Sequence, residues 1–305
     1  MAVGEADDIG ATMLVSSNGL SWQRWYLNTP NGLYDITVST NQFVAVGGNG
    51  EVQTSCDGQY WFSHPVTNIL FYPLNPPSPA TSNLFQPYFN SIVWGGGMFV
   101  AVGDGGAINT SPDGLHWTQQ AIGSWPNRFF QAVAYGNGTI VVMGQSGALA
   151  VSTNGVDWTE PPRPTGRDIE DAFFAEGQFV AVGEKGYVAT STDGIVWTQH
   201  EDHCQNDLRG VAYQGSHFIA VGNNETILQS GFLGPPVLHA RGPMGAEGFE
   251  MSIEGELGRT YQVQGSEDMQ TWEDLMLFTN EQETTVFLDT DAAGWGCRFY
   301  RVTVP

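Results

Sequence analysis

Three groups of side chains in this 305-residue chain are of types that chemistry uses. The run Arg167-Asp168-Ile169-Glu170-Asp171 sets three carboxylates beside a guanidinium, and Arg128, Arg209, Asp35 and Asp207 stand at related places in a repeat described below. A carboxylate pair can supply an acid and a base, and arginine can stabilise an anion, which is the equipment of a glycoside hydrolase or polysaccharide lyase. The second group, His200-Glu-Asp-His203-Cys204, gathers imidazole, carboxylate and thiolate, the ligand types of zinc and related metals. No fourth ligand follows nearby, so His200, His203 and Cys204 are weak metal candidates against a polar surface loop, and no cofactor is expected. The third group is aromatic. Tyr72, Tyr88 and Trp125 could stack on sugar rings, or could cover an apolar rim.

The elements that must position these groups come from an internal repeat. Phe43-Val-Ala-Val-Gly47 returns as Phe99-Val-Ala-Val-Gly103, Ile140-Val-Val-Met-Gly144, Phe179-Val-Ala-Val-Gly183 and Phe218-Ile-Ala-Val-Gly222, with a partial copy at Ala2-Val-Gly4. The glycines are spaced by 43, 56, 41, 39 and 39 residues, the period of a four-stranded propeller blade. Helical solenoids share that period, but these units are β-branched and aromatic, alternate with period two, and break at glycine-rich turns. In one unit the strands are expected at Gln131–Tyr135, Ile140–Gly144, Ala148–Ser152 and Val156–Thr159. The spacing of 56 reflects extra residues within Ser63–Tyr88, a stretch too aromatic to be a solvated tail.

Between the third and fourth strands stands Ser-x-Asp/Asn-Gly-x-x-Trp: Ser16 to Trp22, Ser55 to Trp61, Ser111 to Trp117, Ser152 to Trp158 and Ser191 to Trp197. Asx followed by glycine is hairpin chemistry, because glycine accepts positive φ and the Asx side chain bonds nearby N–H groups. These residues resemble the Asp-box of sialidase-like propellers, and the Val-Gly-x-x-Gly spacing is similar to the photosystem II assembly factor type. The motif here is one residue shorter than the Asp-box, and Asn replaces Asp at Asn18 and Asn154. The resemblance implies a β-propeller over residues 1–230, with these turns away from the active face.

Counting nine residues back from each repeat's first apolar residue gives Tyr34, Asn90, Gln131, Glu170 and Arg209, polar in every unit and differing between units. This register is expected to form a ring at the channel mouth that sets ligand specificity; the alternative is a solvated start of the first strand. A sialidase would require three arginines, a tyrosine with its glutamate, and an aspartate. Arg128, Arg167, Arg209, Tyr34, Glu170 and Asp171 are of those types, and they are the candidate catalytic residues of the enzymatic alternative.

The fold expected is therefore all-β: six repeat units, read as six blades with five or seven as alternatives, followed by a small β-sandwich. The first unit lacks its inner strand and the last lacks its fourth, which leaves ring closure, or pairing with a second copy of the chain, to the termini. Gly231–Pro236 reads as a linker. In residues 237–305, Phe249–Ile253, Thr260–Gln264, Thr285–Leu288 and Arg298–Val302 alternate as strands. Gly258-Arg-Thr-Tyr-Gln-Val, Ser266-x-Asp268-x-x-x-Trp272 and Phe299-Tyr-Arg-Val resemble an accessory module of secreted bacterial proteins, which implies attachment, sorting or carbohydrate contact.

Composition narrows the function. With 32 acidic and 10 basic residues and a net charge of −22, a nucleic-acid partner is excluded and a neutral or cationic partner is expected. Residues 1–230 carry 20 acids and 6 bases, and 231–305 carry 12 and 4, so neither part reads as a basic docking patch. No apolar stretch has the roughly 20 residues of a membrane helix. Three cysteines leave the redox compartment open, while a single lysine beside nine arginines and many Asn, Thr and Gly residues suggests an extracellular or cell-surface protein, a reading that allows for a signal sequence removed from this chain. The leading expectation is a non-catalytic binding or assembly protein that presents its channel face to a glycan or protein; the alternative is a carbohydrate-active enzyme.

Overall fold

A computed structural model of the chain describes residues 1–7, 10–69, 84–120, 128–200, 204–214, 216–230, 237–241, 248–282, 284–294 and 298–304. The chain forms two compact units, residues 1–211 with 220–226, and residues 212–219 with 227–305. Among the described residues the repeat region gives six antiparallel sheets that each match one copy of the repeat, and a two-stranded ribbon of Asn68–Ile69 with Leu84–Phe85. The first holds Ala2–Asp7, Gly10–Val15 and Gln23–Leu27. The inner strands of the next five are Leu33–Val38, Phe89–Gly95, Phe130–Gly136, Ile169–Ala175 and Leu208–Gln214. Their second strands are Phe43–Gly47, Met98–Gly103, Thr139–Gly144, Gln178–Gly183 and His217–Gly222.

The repeated Phe-Val-Ala-Val is apolar at every position because its strand is covered on both faces. Phe99 and Ala101 pack toward the preceding sheet in a cluster with Val44, Val46 and Val52. Val100 and Val102, pointing the other way, pack with Phe130, Val133 and Val142 of the following sheet. The same alternation joins Val141 and Met143 to Ile169, Phe179 and Ala181. The core is thus a series of inter-sheet layers rather than one centre. Gly103 at the strand end is forced by this closeness, since a Cβ there would lie 1.7 Å from the carbonyl oxygen of Tyr88.

The Ser–Asx turn is one network repeated. In the third sheet Ser111 Oγ accepts the N–H of Gly114 at 2.8 Å, and Asp113 Oδ1 accepts the N–H groups of Leu115 and His116 at 2.9 and 2.8 Å. Trp117 Nε1 donates to Gly114 O at 3.0 Å, and its ring sits 6.3 Å from that of Phe89. Gly114 has φ +71°, a conformation that a side chain would strain. Asn18 and Asn154 substitute for Asp because only Oδ1 is used, accepting the same two N–H groups. Hydrogen bonds from the His116 backbone and ring hold the Asp113 carboxyl well below the usual range. In the fourth sheet Val156–Trp158 belong to this turn, so the fourth strand expected at Val156–Thr159 contracts to one bridge between Val151 and Thr159.

In the second unit, the sheet order Val237–Ala240, Phe249–Glu254, Thr284–Asp289 faces a second order of Glu273–Thr279, Thr260–Ser266, Phe299–Thr303. Phe249 stacks on Tyr300 at 5.5 Å and Tyr300 Oη donates to Asp289 Oδ2 at 2.9 Å, tying the two sheets into a β-sandwich. Sequence reading missed Val237–Ala240 and Glu273–Thr279, the latter because its acidic start hides the alternation. The Ser–Asx turn recurs here: Ser266 Oγ accepts from Met269 N at 2.8 Å, with Met269 at φ 59° in the glycine position. The linker expected at 231–236 lies outside the described residues.

Replacing Trp117 with Ala removes an inter-sheet anchor that is only half-buried, so the expected loss is about 2 to 4 kcal/mol in urea unfolding. An unchanged midpoint would show that the turn tryptophans do not brace the sheets.

Candidate binding face at the inner-strand mouth

Four of the inner strands begin with a β-bulge at the register that differs from unit to unit. Leu33 pairs with Gly47 and Asp35 with Val46, which leaves Tyr34 as the extra residue; Asn90, Gln131 and Glu170 are left out in the same way. A bulge bends the strand and re-aims a side chain, so the four project where ladder pairing does not constrain them. Arg209 occupies the corresponding place in the next inner strand. Asn90 Nδ2 donates to Asp104 Oδ1 and to Phe130 O, both at 2.9 Å, and so reaches the following inner strand. Arg209 donates to Glu170 Oε1 at 2.7 Å and to Asp207 Oδ2 at 3.0 Å. Tyr34 is 38% exposed and Gln131 half-buried.

Immediately inside, Asp35 and Asp171 share the wall of a cavity of about 390 Å³ with Ser91, Tyr135, Phe174 and Val211. Asp35 Oδ2 accepts from Ser91 Oγ at 2.9 Å and from Ile92 N at 2.8 Å, while Oδ1 accepts from Ile36 N at 2.7 Å. Asp171 repeats this with Val211 N and Ala172 N, both at 2.8 Å. Each aspartate thus clasps the backbone of the next inner strand. Burial pushes both carboxyls up against those hydrogen bonds; Asp171, which also feels the charge of Asp35, reaches about 7. Two facing carboxyls with raised pKa could exchange protons with a ligand. All four oxygens, however, already accept backbone amides, a structural task.

The turns joining second and third strands open on this same end. Asp168 Oδ1 accepts the N–H of Ser146 at 2.7 Å, and Asp207 Oδ1 that of Lys185 at 3.0 Å. Both donors, Ser146 and Lys185, sit at positive φ in the middle of their turns. Arg163 Nη1 donates to Ser146 O at 3.1 Å and Arg167 Nη1 to Lys185 O at 3.4 Å. Arg128, whose carbonyl accepts from Gly106 N at 2.6 Å, has its pKa lowered by burial and then by the charge of Arg163. Five of the six basic residues of positions 1–230 therefore gather here: Arg128, Arg163, Arg167, Lys185 and Arg209. Arg24 lies instead on the last strand of the first sheet, Gln23–Leu27. These bases are interleaved with Glu160, Asp168, Glu170, Glu184 and Asp207, and Lys185 Nζ itself meets Glu184 Oε1 at 2.6 Å, so this end concentrates bases without forming a basic patch. Arg163 and Lys185 were legible only by counting bases on the two loop types that share this end.

The residues that the sialidase resemblance implies have these partners. Glu170 pairs with Arg209, whereas the acidic neighbours of Tyr34 are Glu5 and Asp104. Among the described residues no three His, Cys, Asp or Glu side chains converge as a metal site. His200 Nε2 bonds to Thr190 Oγ1 at 2.9 Å, and Cys204 Sγ to Asn206 O at 3.5 Å. Tyr72, Trp125 and His203 lie outside the described residues; Tyr88 is 39% exposed beside Tyr34.

No family model matches the sequence, and no curated protein matches it. Among solved structures the chain is similar to YCF48 bound to D1 peptide, with 17% identity and a TM-score of 0.53, over 74% of this chain and 73% of that one. It is also similar to YCF48 from Cyanidioschyzon merolae, with 14% identity, a TM-score of 0.47 and coverage of 82% and 92%. A computationally designed protein, Ika8, gives 11%, 0.49, and 92% and 75%. The first of these likenesses establishes the fold: the repeat region is a β-propeller.

An unfolded aspartate titrates near 3.8 and Asp171 near 7, so between those values the unfolded chain sheds a proton that the fold retains. Asp171 therefore makes stability fall as pH rises from about 5 to 7, by at most about 1.4 kcal/mol per pH unit. Asp171→Asn should flatten that part of the urea-midpoint profile, and an unaltered slope would remove Asp171 from the account.

Proposed function

We propose that this chain is a non-catalytic binding or assembly propeller whose channel mouth holds a protein segment bearing a carboxylate. The concentration of five of the six propeller bases at one end of a chain with net charge −22 carries this reading. The exposed Arg163 guanidinium and the Lys185 ammonium, which would exchange Glu184 Oε1 for a ligand, suit an acidic side chain or a free C-terminus, since arginine offers two parallel donors to a carboxylate. The relative with the similar fold is itself bound to a peptide. The variable ring supports the same reading, because Tyr34, Asn90, Gln131, Glu170 and Arg209 offer a different group from each sheet on one scaffold.

Within this proposal the Ser–Asx turns are Asp-box-type structural corners, the repeat closes as six blades, and the sandwich serves attachment. The setting is extracellular or cell-surface, supported by the single lysine and the resemblance of the C-terminal segment to secreted modules. A glycan remains the rival ligand because Tyr34 and Tyr88 are exposed at the mouth. Hydrolysis draws on Asp35 and Asp171 sharing a cavity, against which stands the use of their oxygens as clasps.

An array of short peptides with acidic, neutral or basic termini should show preference for the acidic set, weakening as salt screens the contact. The double variant Arg163→Glu with Lys185→Glu should lose at least about tenfold in affinity, an electrostatic penalty on the order of 1.4 kcal/mol. Preference for neutral glycans, or acidic-peptide binding indifferent to both substitutions, would overturn the proposal.

A further inference from the structure

The mouth has a second sector of opposite character. Tyr34, thrown out by its bulge, and Tyr88, which leads into the next inner strand, approach each other over Gly48. A methyl on Gly48 would lie 3.1 Å from Tyr88 Cε1 and 3.5 Å from Tyr34 Oη, so the glycine leaves room for two rings that are 38% and 39% exposed. Two carboxylates flank them. Glu5 packs on Gly32, where a Cβ would meet its Oε2 at 2.7 Å. Asp104 donates its backbone N–H to Tyr88 O at 2.9 Å and takes one hydrogen bond from Asn90 on Oδ1. Burial first, then the negative charges of Glu5 and Asp104, push the Tyr34 phenol up, so its ring is neutral with an electron-rich face.

Over positions 1–127 the sequence holds one basic residue, Arg24, on the last strand of the first sheet, Gln23–Leu27. This sector therefore contains aromatic faces and negative charge without a resident cation from that half of the chain. Such a combination attracts an ammonium or guanidinium, through the ring quadrupole and through the carboxylates. Carbohydrate stacking would use the rings but gives the flanking charges no role.

We propose that the Tyr34–Tyr88 corner, with Glu5 and Asp104, binds a lysine or arginine side chain of the protein segment whose carboxylate meets the Arg163–Lys185 sector. The inference rests on the binding reading above and adds a polarity to it: the mouth has a cation-accepting side and an anion-accepting side, so a bound segment lies across it in one direction. A partner would be recognised by a basic and an acidic residue separated by the width of the mouth, and reversing their order would cost affinity.

The corner can be tested apart from the peptide. Tetramethylammonium chloride titrated into the whole chain, with sodium chloride as the control for ionic strength, should shift the backbone amide resonances of Gly48 and Tyr88 in two-dimensional NMR. Tyr34→Phe should retain the shift, while Tyr34→Leu with Tyr88→Leu should abolish it with the remaining resonances in place. Shifts that sodium reproduces, or that survive loss of both rings, would overturn the corner as a cation site. The array supplies the second arm: peptides with both charges should bind about tenfold tighter than acidic-only peptides, an advantage lost with the two rings. Equal binding of acidic-only and two-charge peptides would overturn the polarity while leaving the carboxylate reading standing. Absence of binding by both sets would overturn the two together.

Discussion

Adjacent sheets in the repeat region touch so closely that the second strands of the second to fifth sheets are buried on both faces, and the rest of the structure follows from that contact. It demands Phe-Val-Ala-Val, in which alternate residues serve alternate neighbours. It demands glycine where the second strand meets the next segment's backbone, as Gly103 meets Tyr88. It also brings inner strands near enough for a side chain to reach a neighbour's backbone, which Asp35 and Asp171 do by accepting the N–H groups of Ile92 and Val211. Those aspartates bear a desolvation cost to remain there, visible in their raised pKa values.

The bulge converts this packing constraint into a variable surface. A residue excluded from the ladder owes nothing to register or core, so Tyr34, Asn90, Gln131 and Glu170 differ freely while the residues on either side hold the scaffold. Some of that freedom is spent on bridges, as in Asn90 to Phe130 O and Arg209 to Glu170. The polar ring is therefore both a set of inter-strand ties and the border of a mouth, and the two roles fall on different members.

Much of the fold was legible because the repeat copies itself: period, turn chemistry and strand order each appear several times and correct one another. The sandwich has no such redundancy, and Glu273–Thr279, acidic at its start, escaped notice until Thr260–Ser266 paired with it. The variable register was legible at the mouth, but not its partners. Glu170 finding Arg209, and Tyr34 finding Tyr88 and Glu5, depend on where bulges aim side chains. The gathering of bases was hidden because Arg128, Arg163 and Lys185 lie on two different loop types, and only the fold places both at one end. Asp35 and Asp171 looked like rim charges from their spacing; the hydrogen bonds to the next strand make them clasps.

The central claim is that partners meet the end of the propeller where inner strands begin, and not the end that carries the Ser–Asx turns. Hydrogen exchange of the chain with and without the tightest-binding acidic peptide distinguishes the ends directly. The account predicts slowed exchange at 145–147 and 184–186, the turns that carry Ser146 and Lys185, with 111–117 and 191–197 unaffected. Slowed exchange at the Ser–Asx turns, with the other end unchanged, would contradict it.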